Sequence, residues 1–277
     1  MNIILVHIGE DIPKHININL KHLVKVSSLP IWFVSGKDPE ISGINFIQIS
    51  KYLHDKRNCE FKNICWLDKY GLNGFWSYTM QRFFIIESFC NDHNINEFVH
   101  IENDVVIYED PAKIPFSKYY TNKIGINPVG PKESSAAYMY CNNTALLVKL
   151  NNSFLDCLKL GERFKEVANT DMVNEMKMLC YLEKKNGYLK YLPLFPEDDL
   201  SKMLGGIFDS ASWGQYVGGT PHGHKPGVKF AHHYLGMKPN HYSVEWESGH
   251  KIPYVKCSVK CKLYNLHIHS KELEKYV

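Results

Sequence analysis

The feature that most constrains the fold is an alternation, over residues 1–101, of short apolar runs and stretches with helical periodicity. We predict helices in residues 17–26 and 74–94, where apolar residues recur every three or four positions. The runs predicted to be strands are NIILVHI, PIWFVSG, INFIQIS and EFVHI. Strands that alternate with helices pair mostly in parallel, because a parallel pair needs a crossover connection. The sequence therefore predicts an α/β fold with a mostly parallel sheet flanked by helices.

The second half of the chain is less regular. We predict strands in KIGINP and AAYMYC and helices in residues 143–164 and 169–185, the second capped by Asn169 or Thr170. Residues 193–240 are rich in Gly, Pro and His, which predicts a long functional loop. The chain has 277 residues, 44% of them apolar, and shows no repeat or linker. A single domain is the expected organisation.

Composition and charge exclude several kinds of partner. Lys and Arg number 32 against 29 Asp and Glu, and this balance indicates no nucleic-acid partner. No apolar run approaches the roughly 20 residues of a membrane span. The eight cysteines form no CxxC pair, and the N-terminus opens on a predicted strand rather than on a signal peptide. We therefore expect reduced thiols and a cytoplasmic protein.

One predicted strand ends in an unusual way. FVHI is followed by the acidic segment Glu102-Asn103-Asp104, after which the chain turns apolar again. In extended backbone, side chains two residues apart point to the same side. Ligands of parallel sheets bind at the carboxyl ends of the strands, where the turn from His7 to Gly9 would also lie. Two carboxylates at this edge suit a divalent cation bound to a phosphate, and the alternative is a charged turn after an edge strand.

Three further features strengthen the metal-site hypothesis. The segment NLHIHSKEL puts His267 and His269 at strand spacing, so both imidazoles can share a face. The segment IFDSASWGQYVGG contains Asp209 among small residues and glycines. Arg82 interrupts the apolar face of the helix that leads to the acidic segment. Taken alone, Arg82 is equally consistent with a surface residue whose stem packs on the helix.

A second group of histidines lies in HGHKPGVKFAHH, at positions 222, 224, 232 and 233. It has neither companion cysteines nor an H-E-x-x-H helix. We therefore expect exposed loop histidines rather than a zinc site.

Taken in order, GFWSYTMQRFFIIESF, FVHIENDVVIYED, IFDSASWGQYVGG and NLHIHSKEL resemble segments of small bacterial and viral glycosyltransferases of the GT-A type. The resemblance covers roughly residues 70–270. It implies one Rossmann-like domain, with residues 1–110 as the nucleotide-binding half and residues 111–277 as the half that holds sugar and acceptor. It also implies a UDP-sugar donor, Mn²⁺ or Mg²⁺ as cofactor, and a carbohydrate or protein acceptor.

The resemblance assigns roles to residues by position. Asp104, the last acid of the motif, would bind the metal directly. Glu102 stands where the family has Asp, and it would contact the metal through water or bind ribose or sugar hydroxyls. His267 or His269 would complete the metal shell, and we favour His267 because it directly follows the apolar Leu266.

The remaining roles concern the nucleotide. Arg82 would stabilise the diphosphate or orient the sugar. The turn formed by His7, Ile8 and Gly9 would border uracil and ribose, and Asn103 would lie beside them.

If the transfer inverts the sugar, a carboxylate must also deprotonate the acceptor hydroxyl. Asp209 and Asp171 are the candidates. Asp171 is also explained as a first-turn acid of the helix predicted over residues 169–185, where a negative charge complements the helix dipole. Asp209 is equally consistent with a structural Asx turn.

Two other functions compete with a UDP-sugar-dependent hexosyltransferase, for which glucose is our first guess as the hexose. A nucleotidyltransferase would share the sheet and the paired acids, but it normally carries a Gly- and Lys-rich phosphate loop, and no G-x-G-x-x-G or G-K-[ST] occurs here. A non-catalytic carbohydrate-binding protein could keep the same fold, because fold alone does not specify function.

Overall fold

The computed structural model describes residues 1–67, 73–221, 223–238, 242–247, 252–257 and 259–277. The strands in these residues are β1 (Asn2–His7), β2 (Ile31–Ser35), β3 (Ile44–Gln48), β4 (Phe98–Ile101), β5 (Val105–Ile107), β6 (Ile124–Gly130), β7 (Glu133–Cys141), β8 (Leu189–Tyr191), β9 (Ser243–Trp246), β10 (Pro253–Lys256), β11 (Lys260–Lys262) and β12 (Asn265–His267). The helices are α1 (Lys14–Val26), α2 (Ser50–Leu53), α3 (Lys56–Ile64), α4 (Phe75–Asp92), α5 (Phe116–Tyr119), α6 (Thr144–Lys159), α7 (Arg163–Ala168), α8 (Glu175–Lys185), α9 (Asp199–Leu204), α10 (Ser212–Gly218) and α11 (Tyr234–Met237).

The central sheet confirms the predicted fold class. Within the described residues it has seven strands in the order β3-β2-β1-β4-β7-β6-β8. The four strands from β3 to β4 run parallel, β7 is antiparallel to β4 and β6, and β8 is parallel to β6. Since β1–β4 and β6–β8 come from different halves of the chain, both halves share one sheet in a single domain.

Both faces of this sheet are covered, which explains the continuous apolar run of β1. Ile4 and Val6 pack with α4 on one face, and Ile3 and Leu5 pack with α1 on the other. Side chains alternate across a strand, so a strand buried on both sides must be apolar at every position.

Two short pairings bring the C-terminus back to the acidic segment. β12 pairs antiparallel with β5, and His267 is opposite Val105 in this register. The N–H of Ile268 donates to the C=O of Asp104 at 2.9 Å. The C-terminal segment therefore lies beside the turn that follows β4.

Three sequence expectations differ from the structure. The helix predicted from residue 169 begins at Glu175, because the Asn174 side chain accepts from the N–H of Lys177 and caps it. The helix predicted over residues 143–164 is two helices, interrupted near Gly161, which has φ +59°. The predicted long loop over residues 193–240 contains α9–α11 and the fully buried Trp213, so part of it is packed core. Residues 222 and 239–240 of that segment lie outside the described residues.

None of the described helices combines the length and the apolar character that crossing a lipid bilayer requires.

Candidate metal and substrate site

The carboxyl ends of two neighbouring parallel strands form the centre of the site. β1 and β4 pair from Asn2↔Phe98 to Ile4↔His100, so the end of β1 and the acidic segment after β4 lie at the same edge of the sheet. Here a cleft of about 200 Å³ is lined by His7, Arg82, Glu102, Asn103 and Asp104, among others. Ile8 is half-buried against the main core, and Gly9 lies close to the His7 ring.

The acidic segment is a tight turn held by its middle residue. The N–H of Val105 donates to the C=O of Glu102 at 3.0 Å, which closes the turn. The Asn103 side-chain amide donates to the C=O of Val6 at 2.9 Å and ties the turn to β1. In this arrangement Asn103 positions the turn, while the carboxylates of Glu102 and Asp104 remain available to a ligand.

His267 lies directly against both carboxylates. Its Nε2 is 3.0 Å from Asp104 Oδ2 and 3.3 Å from Glu102 Oε2. On the other side of the ring, Nδ1 contacts the C=O of Ser210. A ligand imidazole is commonly oriented in this way by a carbonyl on its second nitrogen. The C-terminal segment therefore brings an imidazole nitrogen to within 3.0 Å of Asp104, which is more than 160 residues earlier in the sequence.

The electrostatics of this trio are those of a buried ion pair. Burial alone would raise the pKa of Asp104, but the charges of His267 and Lys271 outweigh it and hold this pKa well below its usual range. Burial lowers the pKa of His267, yet Asp104 raises it to about 9. A metal at this position would therefore replace a proton on His267.

The donor set fits a divalent cation. Glu102, Asp104 and His267 each place one potential ligand atom within 4.8 Å of the others. Two carboxylates and one imidazole suit Mn²⁺, and also Mg²⁺ when water and phosphate complete the shell. His269 does not belong to this group. Its ring packs against that of His267, with centroids 4.0 Å apart and planes at 31°, and its Nε2 lies 3.2 Å from the Gln215 amide nitrogen.

Arg82 is buried between two carboxylates. Its Nη1 contacts Glu102, and its Nη2 lies 2.8 Å from Glu175 Oε1. Only 9% of the Arg82 side chain is exposed, so it is not the surface residue that the sequence alone allowed. Arg82 fixes the position of Glu102 from the side opposite His267.

Glu175 is a site residue that the sequence analysis missed. It is the first residue of α8 and is almost fully buried in the cleft wall. Burial raises its pKa to about 7, against the opposing effect of Arg82. The sequence feature that could have identified Glu175 is Asn174, a good N-cap that places Glu175 in the first helical turn.

Lys271 was also missed, although it lies in the NLHIHSKEL segment. Its ammonium group contacts the Asp104 carboxylate, and 45% of its side chain is exposed in the first cleft. The backbone φ of +63° is unusual for lysine and turns the chain sharply after His269. A partly exposed cation thus lies against Asp104 in the first cleft.

A second cleft of about 290 Å³ begins at Glu102 and extends away from β1. Its wall includes Glu133, Glu175 and His267, together with the aromatic rings of Phe75 and Trp76. Glu102 lines both clefts, so the acidic segment lies between them.

The structure contradicts a catalytic role for Asp209. The residue is 0% exposed, and its two oxygens accept hydrogen bonds of 2.8–3.0 Å from the N–H groups of Ala211, Trp213, Gly214 and His267. Gly214 packs directly against the backbone of β12, since a Cβ there would be 2.0 Å from the C=O of His267. Asp209 is therefore a structural carboxylate, as in the Asx turn that the sequence analysis gave as the alternative to a catalytic role.

We expect Asp209→Asn to lower the free energy of unfolding by about 2–4 kcal/mol, because an amide cannot accept four N–H bonds. Urea denaturation measures this change. Asp198→Asn is a matched control, since Asp198 also accepts backbone N–H bonds but from two donors only. An Asp209→Asn protein of wild-type stability and reduced turnover would instead restore the catalytic interpretation.

Asp171 lies away from the acidic segment. It is exposed at a different groove, beside Met172 and Lys177, and it precedes the start of α8. The first-turn interpretation of Asp171 is wrong, because α8 begins at Glu175, and the catalytic role of Asp171 stays a prediction. Glu175, four residues later, occupies the place in the helix that was predicted for Asp171.

Comparisons with known proteins found similar solved structures but no matching family. No family model matches the sequence, and no curated protein matches it either. Among solved structures, the chain is similar to mouse xyloside xylosyltransferase 1, at 12% identity over 69% of this chain and 84% of that one, with a TM-score of 0.48. It is also similar to the galactosyltransferase LgtC, at 11% identity over 70% and 73% of the two chains, with a TM-score of 0.41. A third similar structure is a glycosyltransferase involved in glycosylating the major capsid of PBCV-1, at 10% identity over 69% and 82%, with a TM-score of 0.35.

By their titles these structures are glycosyltransferases, the class that the sequence motifs resemble. At this level of similarity they assign no substrate and no residue role to the chain.

Proposed function

We propose that the protein is a metal-dependent glycosyltransferase that transfers a hexose from a UDP-sugar to a carbohydrate or protein acceptor. The observation that supports this most strongly is the convergence of Glu102, Asp104 and His267 at the carboxyl ends of β1 and β4. Ligands of parallel sheets bind at this edge, and paired carboxylates there suit a cation that carries a diphosphate.

In this proposal Asp104 and His267 hold the cation, with Glu102 as third ligand or as a partner of its bound water. A divalent cation held there would offset the negative charge that grows on the departing UDP. Arg82 keeps Glu102 in place through its ion pair. Lys271, whose side chain is 45% exposed in the cleft, would pair with the diphosphate once a cation took its place beside Asp104.

We assign the two clefts to the two substrates. The nucleotide would occupy the first cleft, whose wall also includes His7 and His15. The sugar and the acceptor would occupy the second, whose aromatic rings offer apolar faces to a sugar. This division follows the predicted halves, residues 1–110 and 111–277, only in part, because Phe75 and Trp76 of the second cleft come from the first half and Lys271 of the first cleft comes from the second.

Glu175 replaces Asp209 and Asp171 as our candidate for a general base, should the reaction invert. It lines the second cleft, and a pKa near 7 is well matched to accepting a proton at neutral pH.

The test of the proposal is ligand-dependent thermal stabilisation. UDP and Mn²⁺ together should raise the melting temperature by about 5 °C at 100 times the dissociation constant, which corresponds to about 2.7 kcal/mol. UDP without Mn²⁺ should give a much smaller shift, because the diphosphate then lacks its main counter-charge.

Each alternative function predicts a different result. Stabilisation by ATP and Mn²⁺, but not by UDP, would favour a nucleotidyltransferase. Stabilisation by free sugars alone would favour a carbohydrate-binding protein. If UDP binds as expected, UDP release measured across a panel of UDP-hexoses identifies the donor, with UDP-glucose expected to be the most active.

A further inference from the structure

A second cluster of potential metal ligands lies in the wall of the second cleft. Glu133, at the start of β7, and His232 and His233, just before α11, each place one ligand atom within 4.8 Å of the others. None of the three belongs to the Glu102–Asp104–His267 group. The sequence analysis expected exposed loop histidines. This expectation is wrong for His233, which is only 5% exposed.

His233 has a buried nitrogen with no partner. Its Nδ1 is shielded from solvent and makes no hydrogen bond to any described residue. Leaving a buried polar atom unpaired costs about 1–3 kcal/mol, so such an atom in a folded protein calls for a partner. The ring packs against that of His232, with centroids 4.4 Å apart and planes at 73°.

The backbone holds the cluster together before any ligand arrives. A Cβ on Gly130, at the end of β6, would lie 2.2 Å from the C=O of His232, so the β6–β7 turn is in direct contact with the histidine backbone. The N–H of His233 donates to the C=O of Phe230 at 3.0 Å, which fixes the local turn. Glu133 and the two histidines are therefore positioned by two packed segments rather than by a single loop.

One cation already contacts the cluster. Lys177 Nζ lies 3.0 Å from Glu133 Oε1, with 10% of the Lys177 side chain exposed. Within the described part of the chain, Oε2 of Glu133 makes no ion pair. Since a monodentate carboxylate ligand uses one oxygen, the Lys177 contact leaves the other available and orients it.

We propose that Glu133, His232 and His233 form a second cation site, of the type that binds Zn²⁺, distinct from the Mn²⁺ or Mg²⁺ site. Two imidazoles and one carboxylate form a nitrogen-rich donor set that suits zinc, and three protein ligands leave a coordination position open. That position would face the second cleft, whose wall includes all three residues. A bound ion would also tie the histidine loop to the β6–β7 turn.

The test is Zn²⁺ binding by calorimetry to the full chain, without a histidine tag and in an Asp104→Asn background that removes the first site. We expect one Zn²⁺ per chain and a higher melting temperature with Zn²⁺. Adding His232→Ala should weaken Zn²⁺ binding more than about 100-fold. Removing a residue that only orients a metal ligand already costs about 10- to 100-fold in affinity, and removing a ligand itself costs more. His232 is exposed, so this change should not prevent folding.

His224→Ala is the matched control. His224 is an exposed histidine whose ring contacts Phe230, as those of His232 and His233 do, but it lies outside the cluster. Its replacement should leave Zn²⁺ affinity unchanged. The proposal is overturned if the Asp104→Asn protein binds no Zn²⁺, or if His224→Ala and His232→Ala weaken binding equally. These outcomes are independent of whether the protein binds UDP.

Discussion

Asp104→Asn should abolish Mn²⁺-dependent UDP binding and reduce turnover by about 1,000-fold or more, on the scale of losing a main charge-stabilising group. Asn preserves the volume of a side chain that is 4% exposed, while it removes the charge that His267 and a cation both require. We choose Asn over Ala because Asn fills the same space and can still form a hydrogen bond with His267, whereas Ala would leave a cavity beside the imidazole. Calorimetry with UDP and Mn²⁺ measures the binding, and circular dichroism verifies the fold.

Asp110→Asn provides the control for this experiment. Asp110 is equally buried, but it accepts hydrogen bonds from Ser27, Ser28 and Ala112 away from both clefts. Its replacement should affect stability without changing the Mn²⁺ dependence of UDP binding. Unchanged UDP–Mn²⁺ affinity in a folded Asp104→Asn protein would show that Asp104 is not a metal ligand.

Arg82→Met should lower the free energy of unfolding by about 3–5 kcal/mol, because it leaves the Glu175 carboxylate buried without its cation and removes one of the two cations that contact Glu102, the other being His267. The double variant Arg82→Met, Glu175→Gln should recover part of this loss, since the unpaired charge of Glu175 is then absent. Urea denaturation of both variants measures the effect.

A different result would change the role of Arg82. An Arg82→Met protein with wild-type stability and strongly reduced turnover would mean that the guanidinium acts on the substrate, as the sequence resemblance implied, rather than on Glu102. Arg82→Lys separates the two roles further, because lysine retains the charge but cannot bridge two carboxylates with a planar fork.

The fold was largely predictable because its signals are local. The strands β1–β4 and the helix α4 follow directly from apolar runs and helical periodicity, and the continuous apolar character of β1 reflects burial on both faces. The start of α8 was misjudged because Asn169, Thr170 and Asn174 are all acceptable caps, and tertiary packing selected Asn174.

The site was predictable where strand order alone determines proximity. Two parallel neighbours end at the same edge, so the placement of Glu102 and Asp104 beside the end of β1 required no knowledge of side-chain packing.

The role of Asp209 could not be predicted from strand order. An acid among small residues and glycines has the same local pattern whether it faces a ligand or accepts four backbone N–H groups, and only burial distinguishes the two.

By itself, the sequence determined the α/β fold, the acidic turn after β4 and the presence of two closely spaced histidines in the C-terminal segment, since each depends on neighbours within a few residues. Only the tertiary structure decided that His267 rather than His269 joins the carboxylates, that Arg82 is enclosed by Glu102 and Glu175, and that His232 and His233 meet Glu133. These contacts join segments about 20 to more than 160 residues apart. Their geometry depends on how helices and strands pack against one another, which no local pattern of residues records.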